Sequence, residues 1–145
     1  MKKNILLLGL LLFSTIGFSQ DWKLDFKEAQ KNSAEKELPI ILVFQGSDWC
    51  APCIKLDRNI WCSDEFKNYA KDHFVMLQAD FPKRSKNALP EEQQEKNNKL
   101  AEKYNPNGYF PFVVILDQDG KVLGQTGYKN MSPKEYIAHL NSFIH

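Results

Sequence analysis

The sequence predicts an α/β domain, a mixed central β-sheet covered by helices on both faces. Three observations predict it. Short, continuous apolar runs rich in β-branched residues alternate with longer amphipathic stretches through the first half of the chain, the pattern of parallel strands joined by helical crossovers. Two later runs flank Asp117-Gln118-Asp119-Gly120, a hairpin turn that adds an antiparallel strand. The 145 residues, 43% hydrophobic and 26% charged, amount to one folded domain, neither a disordered tail nor a membrane bundle.

The first residues stand apart from that domain. Met1-Lys2-Lys3 sets two positive charges before an apolar run, residues 5–13, that reaches Phe18 if Ser14 and Thr15 are tolerated. A bilayer span takes about 20 residues, so the run is too short to cross and has the length of a secretory-signal core. Gly17 and Ser19 are the small residues a signal peptidase takes three before and one before its cut. The reading is a signal peptide over residues 1–19 and a single domain over 20–145; the alternative is a buried N-terminal helix. No Cys precedes Cys50, so no lipoprotein anchor is expected at the cut. The leader holds two Lys and no acid, so its removal moves the net charge from +1 to −1. That balance carries no electrostatic footprint for nucleic acid. Export to a periplasmic or extracytoplasmic space puts all three Cys in an oxidising compartment, as structural disulfides or as redox tools.

Within the domain, residues 22–36 are amphipathic, with Trp22, Phe26 and Ala29 on one side, and Pro39 ends this helix. Residues 40–44 are a buried strand and Gly46-Ser47-Asp48 a turn. A helix follows over about 50–60, with Leu56 and Ile60 four apart. Ser63 caps the next, whose one face holds Phe66, Tyr69, Ala70 and His73. Residues 74–79 read as a second buried strand and 81–89 as a polar loop. Pro90-Glu91-Glu92 opens a helix, with Pro at the first position and acids in the first turn. That helix stays polar until Leu100, Ala101 and Tyr104, so it docks by its last turns before Asn105-Pro106-Asn107-Gly108 ends it. Strands over 112–116 and 121–125 enclose the hairpin. Ser132-Pro133-Lys134-Glu135 is a capping box, opening a helix that buries Tyr136, Ile137, Leu140 and Phe143 or Ile144.

Trp49-Cys50-Ala51-Pro52-Cys53 follows a predicted strand and opens a predicted helix. Cysteines at i and i+3 in a first helical turn lie within bridging range. Cys50 would sit at the helix N-terminus, where unpaired N–H groups and the dipole favour a thiolate, the attacking species in disulfide exchange. Cys53, one turn in and more buried, can attack the resulting mixed disulfide. Pro52 fits a first turn, where its missing N–H is not needed. Two other readings stay open. Half a zinc site would need two more ligands, and Cys62, His73, His139 and His145 form no second paired knuckle. An inert disulfide closing so short a loop would be a poor staple.

The strand Ile40-Ile41-Leu42-Val43-Phe44 followed by Trp49-Cys50-Ala51-Pro52-Cys53 resembles the thioredoxin family. The similarity is greatest to exported members such as the C-terminal domain of periplasmic thiol:disulfide interchange reductases. It covers almost all of the chain after the leader. Phe110-Pro111-Phe112 before an apolar strand matches the family's X-Pro, and Gly127 matches the glycine beyond the last strand. The resemblance implies a thioredoxin-like fold, Cys50 as nucleophile and Cys53 as resolving thiol. It implies a cis peptide at Pro111 facing the pair, the alternative being an ordinary trans proline at strand entry. Trp49, Ala51, Pro52, Phe110, Pro111 and Gly127 would form the substrate-binding positions, with the Phe110 backbone pairing to an extended substrate segment.

Three departures stand out. Many thioredoxins carry a buried acid six residues before the first Cys; here that position is Phe44. Asp48 and Asp80 are the nearby acids that could stand in through water, although Asp48 reads more simply as a solvated turn residue. The segment 81–104 is longer than in a minimal thioredoxin, and either shapes partner choice or is a solvated decoration. Cys62, about 13 Å from Cys53 along an unbroken helix, is beyond disulfide reach and reads as a buried, inert thiol. The histidines are assigned no catalytic role, and Trp22 and Trp61 read as packing residues.

The function expected is an extracytoplasmic thiol–disulfide oxidoreductase, reductive or isomerising. It would need no cofactor or metal, would act on protein or peptide disulfides, and would take electrons from a membrane-bound thiol reductase. The alternatives are a Cu(I) metallochaperone, against which the lack of Met near the motif counts, and a non-catalytic binding module, against which the intact Trp-Cys-x-Pro-Cys counts.

Overall fold

The computed structural model describes residues 19–145; all of the expected signal peptide except Ser19 lies outside the described residues. The elements are β1 (Trp22–Lys23), α1 (Phe26–Lys36), β2 (Ile40–Gln45), α2 (Ala51–Leu56), a π-helical turn (Asp57–Trp61), α3 (Asp64–His73), β3 (Val75–Asp80), a 3₁₀ turn (Ser85–Asn87), α4 (Glu91–Tyr104), β4 (Phe112–Leu116), β5 (Val122–Thr126) and α5 (Pro133–Asn141). The sheet order is β1-β3-β2-β4-β5. β2 pairs parallel with β3 and antiparallel with β4, and β4 with β5 forms the hairpin. The sheet is mixed, as expected from the alternation and the turn.

Alternation along β2 divides the core. Ile41 and Val43 face Leu56, Trp61, Phe66 and Tyr136 on the side of α2, α3 and α5. Ile40, Leu42 and Phe44 face Ala29, Leu100 and Tyr104 on the side of α1 and α4. Ile40, Ile41, Leu42, Val43 and Phe44 are all fully buried. Each such side chain is worth about 1.5–3 kcal/mol against exposure, so β2 anchors both layers and fixes where the turn after it emerges.

Four elements differ from the sequence reading. Trp22 is not helical: it lies in β1, paired in register with Met76, and α1 starts at Phe26 behind an Asp25 N-cap that accepts from the Glu28 amide. Pulled away from Phe26, the Trp22 indole meets the edge of Trp61 at 6.1 Å. The helix after the cysteine motif is not uniform, since it widens into a π turn at Asp57 closed by the Cys62 amide donating to the Asp57 carbonyl. An α-helix turning about 100° per residue would carry Trp61 about 140° away from Leu56. The wider turn brings both onto the core side, where both are buried. Pro90 is the N-cap of α4 rather than its first residue. Phe143 and Ile144 lie past the end of α5 and pack from there.

The capping assignments hold. Ser63 accepts from the Phe66 amide, and Ser132 with Glu135 forms a reciprocal capping box. α4 docks through Leu100 and Tyr104, and also through the buried Asn97, whose side-chain amide donates to the Asp80 carbonyl at 2.9 Å. That bond ties α4 to the end of β3, beside the cysteine motif.

Candidate active site

The chain leaves β2 at Gln45 and reaches Cys50 through a tight turn whose Cys50 amide donates to the Gly46 carbonyl. Gly46 is required there: a Cβ would lie 2.2 Å from the Trp49 ring. The indole therefore rests on bare backbone, and its Nε1 donates to the Phe81 carbonyl at 2.8 Å. Cys50 is the N-cap of α2, and Pro52 falls in the first turn, where its missing N–H leaves no bond unmade.

Cys50 and Cys53 are joined, with Cα atoms 5.2 Å apart. The Cys53 amide donates to Cys50 Sγ at 3.3 Å. The expected difference in burial is absent in this oxidised state, since Cys50 is 4% exposed and Cys53 3%. What distinguishes them is surroundings: Cys50 faces the helix N-terminus, whereas Cys53 opens on a cavity of about 340 Å³ behind the motif. Ala51 is exposed at the start of α2.

The Phe110–Pro111 peptide is cis, as the resemblance implies. The Phe110 ring stands edge-on to Trp49 at 5.4 Å and to Phe81 at 5.5 Å. Gly127 backs this segment: a Cβ there would approach the Pro111 carbonyl to 3.3 Å. Its own carbonyl accepts from the Tyr136 hydroxyl. Trp49, 38% exposed, and Tyr109, 57% exposed, leave an aromatic surface open at this end of the sheet.

The acids depart from expectation. Phe44 is fully buried and stacks on Phe112 on the α1/α4 side of the sheet. The next residue, Gln45, is the one that reaches the Cys53 cavity, together with Ser47, Ile54, Asp57 and Gln78. Asp57 is thus the carboxylate in that cavity, a residue the sequence did not single out. Asp48 does sit in the turn, half-buried, but it does more there than face water. Its carboxylate accepts from the Lys83 and Arg84 amides, both at 2.9 Å, and from the Asn87 side chain at 3.0 Å. Asp80 answers from the other side, accepting from the Ser47 amide and hydroxyl and from the Phe81 amide. The two carboxylates lace the turn before Cys50 to the loop after β3.

These bonds, the Lys83 amide foremost, hold the Asp48 carboxyl down to about 2 from 3.8. A carboxyl depressed on folding stabilises above its unfolded value and loses that contribution as pH falls through the folded one. The loop is therefore expected to stay laced above about pH 4 and to loosen towards pH 2. Amide exchange at Lys83 and Arg84 reads this directly. Protection that persists unchanged to pH 2 would separate the loop from the carboxylate.

Cys62 is exposed rather than buried, because the wider turn ends there and turns the side chain outward. Partial burial and the neighbouring Asp57 charge push its thiol up, and its Sγ donates to Asp57 Oδ2 at 3.6 Å. Both effects favour the protonated thiol, the less reactive form. Cys62→Ser retains a donor to Asp57 and is expected to leave the reduction potential of the pair within about 15 mV. A larger shift would couple this thiol to the pair.

A cysteine pair that opens a helix behind a central strand and faces a cis-proline puts the protein in the class that trades disulfides on a thioredoxin-like scaffold. The thioredoxin-like family profile matches residues 21–118, and the chain belongs to that family. It is 40% identical over 119 residues to the disulfide bond reductase DsbH of Chlamydia pneumoniae, covering 82% of this chain and 70% of that one. The solved structure of a DsbH oxidoreductase superimposes with a TM-score of 0.80 at 36% identity, over 88% of this chain and 85% of that one. The thioredoxin-related protein DsbJ of Chlamydia pneumoniae is 30% identical over 106 residues, which is 73% of this chain but 30% of DsbJ. The protein is a thiol–disulfide oxidoreductase.

Proposed function

We propose that the protein is an exported oxidoreductase that reduces or isomerises disulfides in proteins or peptides, with Cys50 as nucleophile and Cys53 as resolving thiol. The observation that carries the assignment is the Cys53 amide aimed at Cys50 Sγ across the first turn of α2. In the reduced protein that donor and the helix dipole favour a thiolate on Cys50. The thiolate attacks one substrate sulfur, forms a mixed disulfide and releases the other substrate sulfur as a thiolate that takes up a proton. Cys53 then gives up its proton towards the cavity holding Asp57, Gln45 and Gln78, and its thiolate attacks Cys50 Sγ. The second substrate thiol leaves, and the protein keeps the disulfide in exchange for two electrons and two protons.

Trp49, Ala51, Pro52, Phe110, Pro111 and Gly127 frame the substrate position, with the Phe110 backbone open to an extended segment. Three features support the reductive direction: the Ala51-Pro52 dipeptide, the resemblance to interchange reductases, and the similarity to a protein named as a disulfide bond reductase. The leader over residues 1–19 supports export, and a membrane-bound thiol reductase is the electron donor this direction requires.

The test is the equilibrium reduction potential of Cys50–Cys53, followed by Trp49 fluorescence in thiol buffers and paired with insulin reduction. A value near about −270 mV with insulin reduced supports the reading, and one near about −120 mV would make the protein an oxidant. Copper retained by the reduced protein without insulin reduction would favour the Cu(I) carrier.

A further inference from the structure

We propose that the loop over residues 81–87 is a docking wall of the site, and that its cations select disulfide substrates with acidic residues beside the cysteine under attack. The inference rests on the exchange reaction proposed above and adds the class of polypeptide that reaches it.

The loop is laced to the turn that carries Cys50. Phe81 accepts from the Trp49 indole, Asp48 holds the Lys83 and Arg84 amides and the Asn87 side chain, and Asp80 holds Ser47. The Lys83 ammonium sits 3.9 Å over the centre of the Trp49 ring. A substrate chain lying across Trp49 towards Pro111 must pass beside it.

Lys83, Arg84 and Lys86 are all exposed, and none forms an ion pair with a carboxylate among the described residues. The two acids beneath the loop partly offset them, and Arg84 lies near enough to Asp48 to help keep it ionised. Yet both carboxylates are engaged by amide and hydroxyl donors of the loop and turn, whereas the three cations carry no such partner, so the face offered to a partner is cationic. The protein as a whole is close to neutral, +1 with the leader and −1 without it. The bias is therefore local to the site and does not come from overall attraction.

Ordering long, free lysines normally costs much of what an exposed ion pair returns. Here the backbone under Lys83 and Arg84 is already fixed, and the Lys83 head group already rests on an aromatic face. A wall organised in advance loses less on binding.

The test uses pre-reduced protein in single turnover against three disulfide-linked peptides. They are identical except for two Glu, two Gln or two Lys beside the cysteine. With each exposed pair worth a few-fold, the second-order rate is expected to favour the Glu peptide over the Lys peptide by about tenfold at low salt. The preference should collapse to within about twofold at 0.5 M salt, where screening reaches well inside 10 Å. In the Arg84→Glu/Lys86→Glu double variant the Glu preference should vanish or invert. Because the ratio is read within each protein, a variant that disturbs the pair slows all three peptides and leaves the ratio interpretable. Equal rates on all three overturn the docking wall and leave the oxidoreductase standing. A Glu preference that survives charge reversal or high salt overturns it as well. Failure to reduce even the Gln peptide overturns the exchange reading itself, and the wall with it.

Discussion

Cys53→Ser is expected to convert the protein from a turnover catalyst into a trap. With Cys50 free to attack and nothing to resolve the product, incubation with a disulfide substrate should build up a mixed disulfide to one equivalent, visible by mass as protein plus substrate. Cys50→Ser should form no such adduct, and turnover should fall by on the order of 10³-fold or more, as it does when other enzymes lose their nucleophile. The contrast matters because burial does not separate the two sulfurs, at 4% and 3% exposed. The assignment lies in the amide aimed at Cys50 and in the cavity behind Cys53. An adduct trapped by Cys50→Ser instead would reverse the two roles.

The largest expected loss of stability is from Trp61→Ala. Trp61 is 1% exposed and stands edge-on to Trp22 at 6.1 Å, Phe66 at 4.8 Å and Tyr136 at 5.5 Å. One ring thus joins β1, α3 and α5 to the end of the helix that bears the cysteines. Removing it should cost about 3–5 kcal/mol. For a domain of this size that lowers the melting temperature by on the order of 10–20 °C. Thermal unfolding followed by circular dichroism measures it, and a loss below about 1 kcal/mol, the ordinary cost of a point substitution, would show that the ring is not a hub. Trp61→Phe should retain much of the difference.

The parts of the fold legible in the sequence are those specified locally. Residues 40–44 declare a doubly buried strand because no polar side chain interrupts them, and Ser63 and Ser132 declare helix starts because a cap acts within three residues. The cysteine motif and the Pro111 segment were legible as a joint pattern. What escaped depends on distant partners. β1 is two residues long and exists only because Met76 and Leu77 lie alongside it. The lacing of Asp48 to Lys83 and Arg84 and of Asp80 to Ser47 spans more than thirty positions, so nothing near Asp48 distinguishes it from a solvated turn acid. Gln45 could have been noticed, because strand alternation places it on the face opposite Phe44. The π turn follows from the demand that both Leu56 and Trp61 reach one core, and a count of helical spacing alone does not reveal it.

That widened turn also bears on how the gene can change length. It spends one residue more than an α-helix would need to join the cysteine pair to Trp61. Arg58 and Asn59, inside it, are exposed and carry no core side chain. Losing one codon at either position would tighten the turn to α geometry while Leu56 and Trp61 keep their places. The same loss in α3 would rotate everything beyond it by about 100° and turn Phe66 or Ala70 out of the core. Single-residue deletions should therefore be silent at the first place and ruinous at the second, although the two stretches lie only a few codons apart.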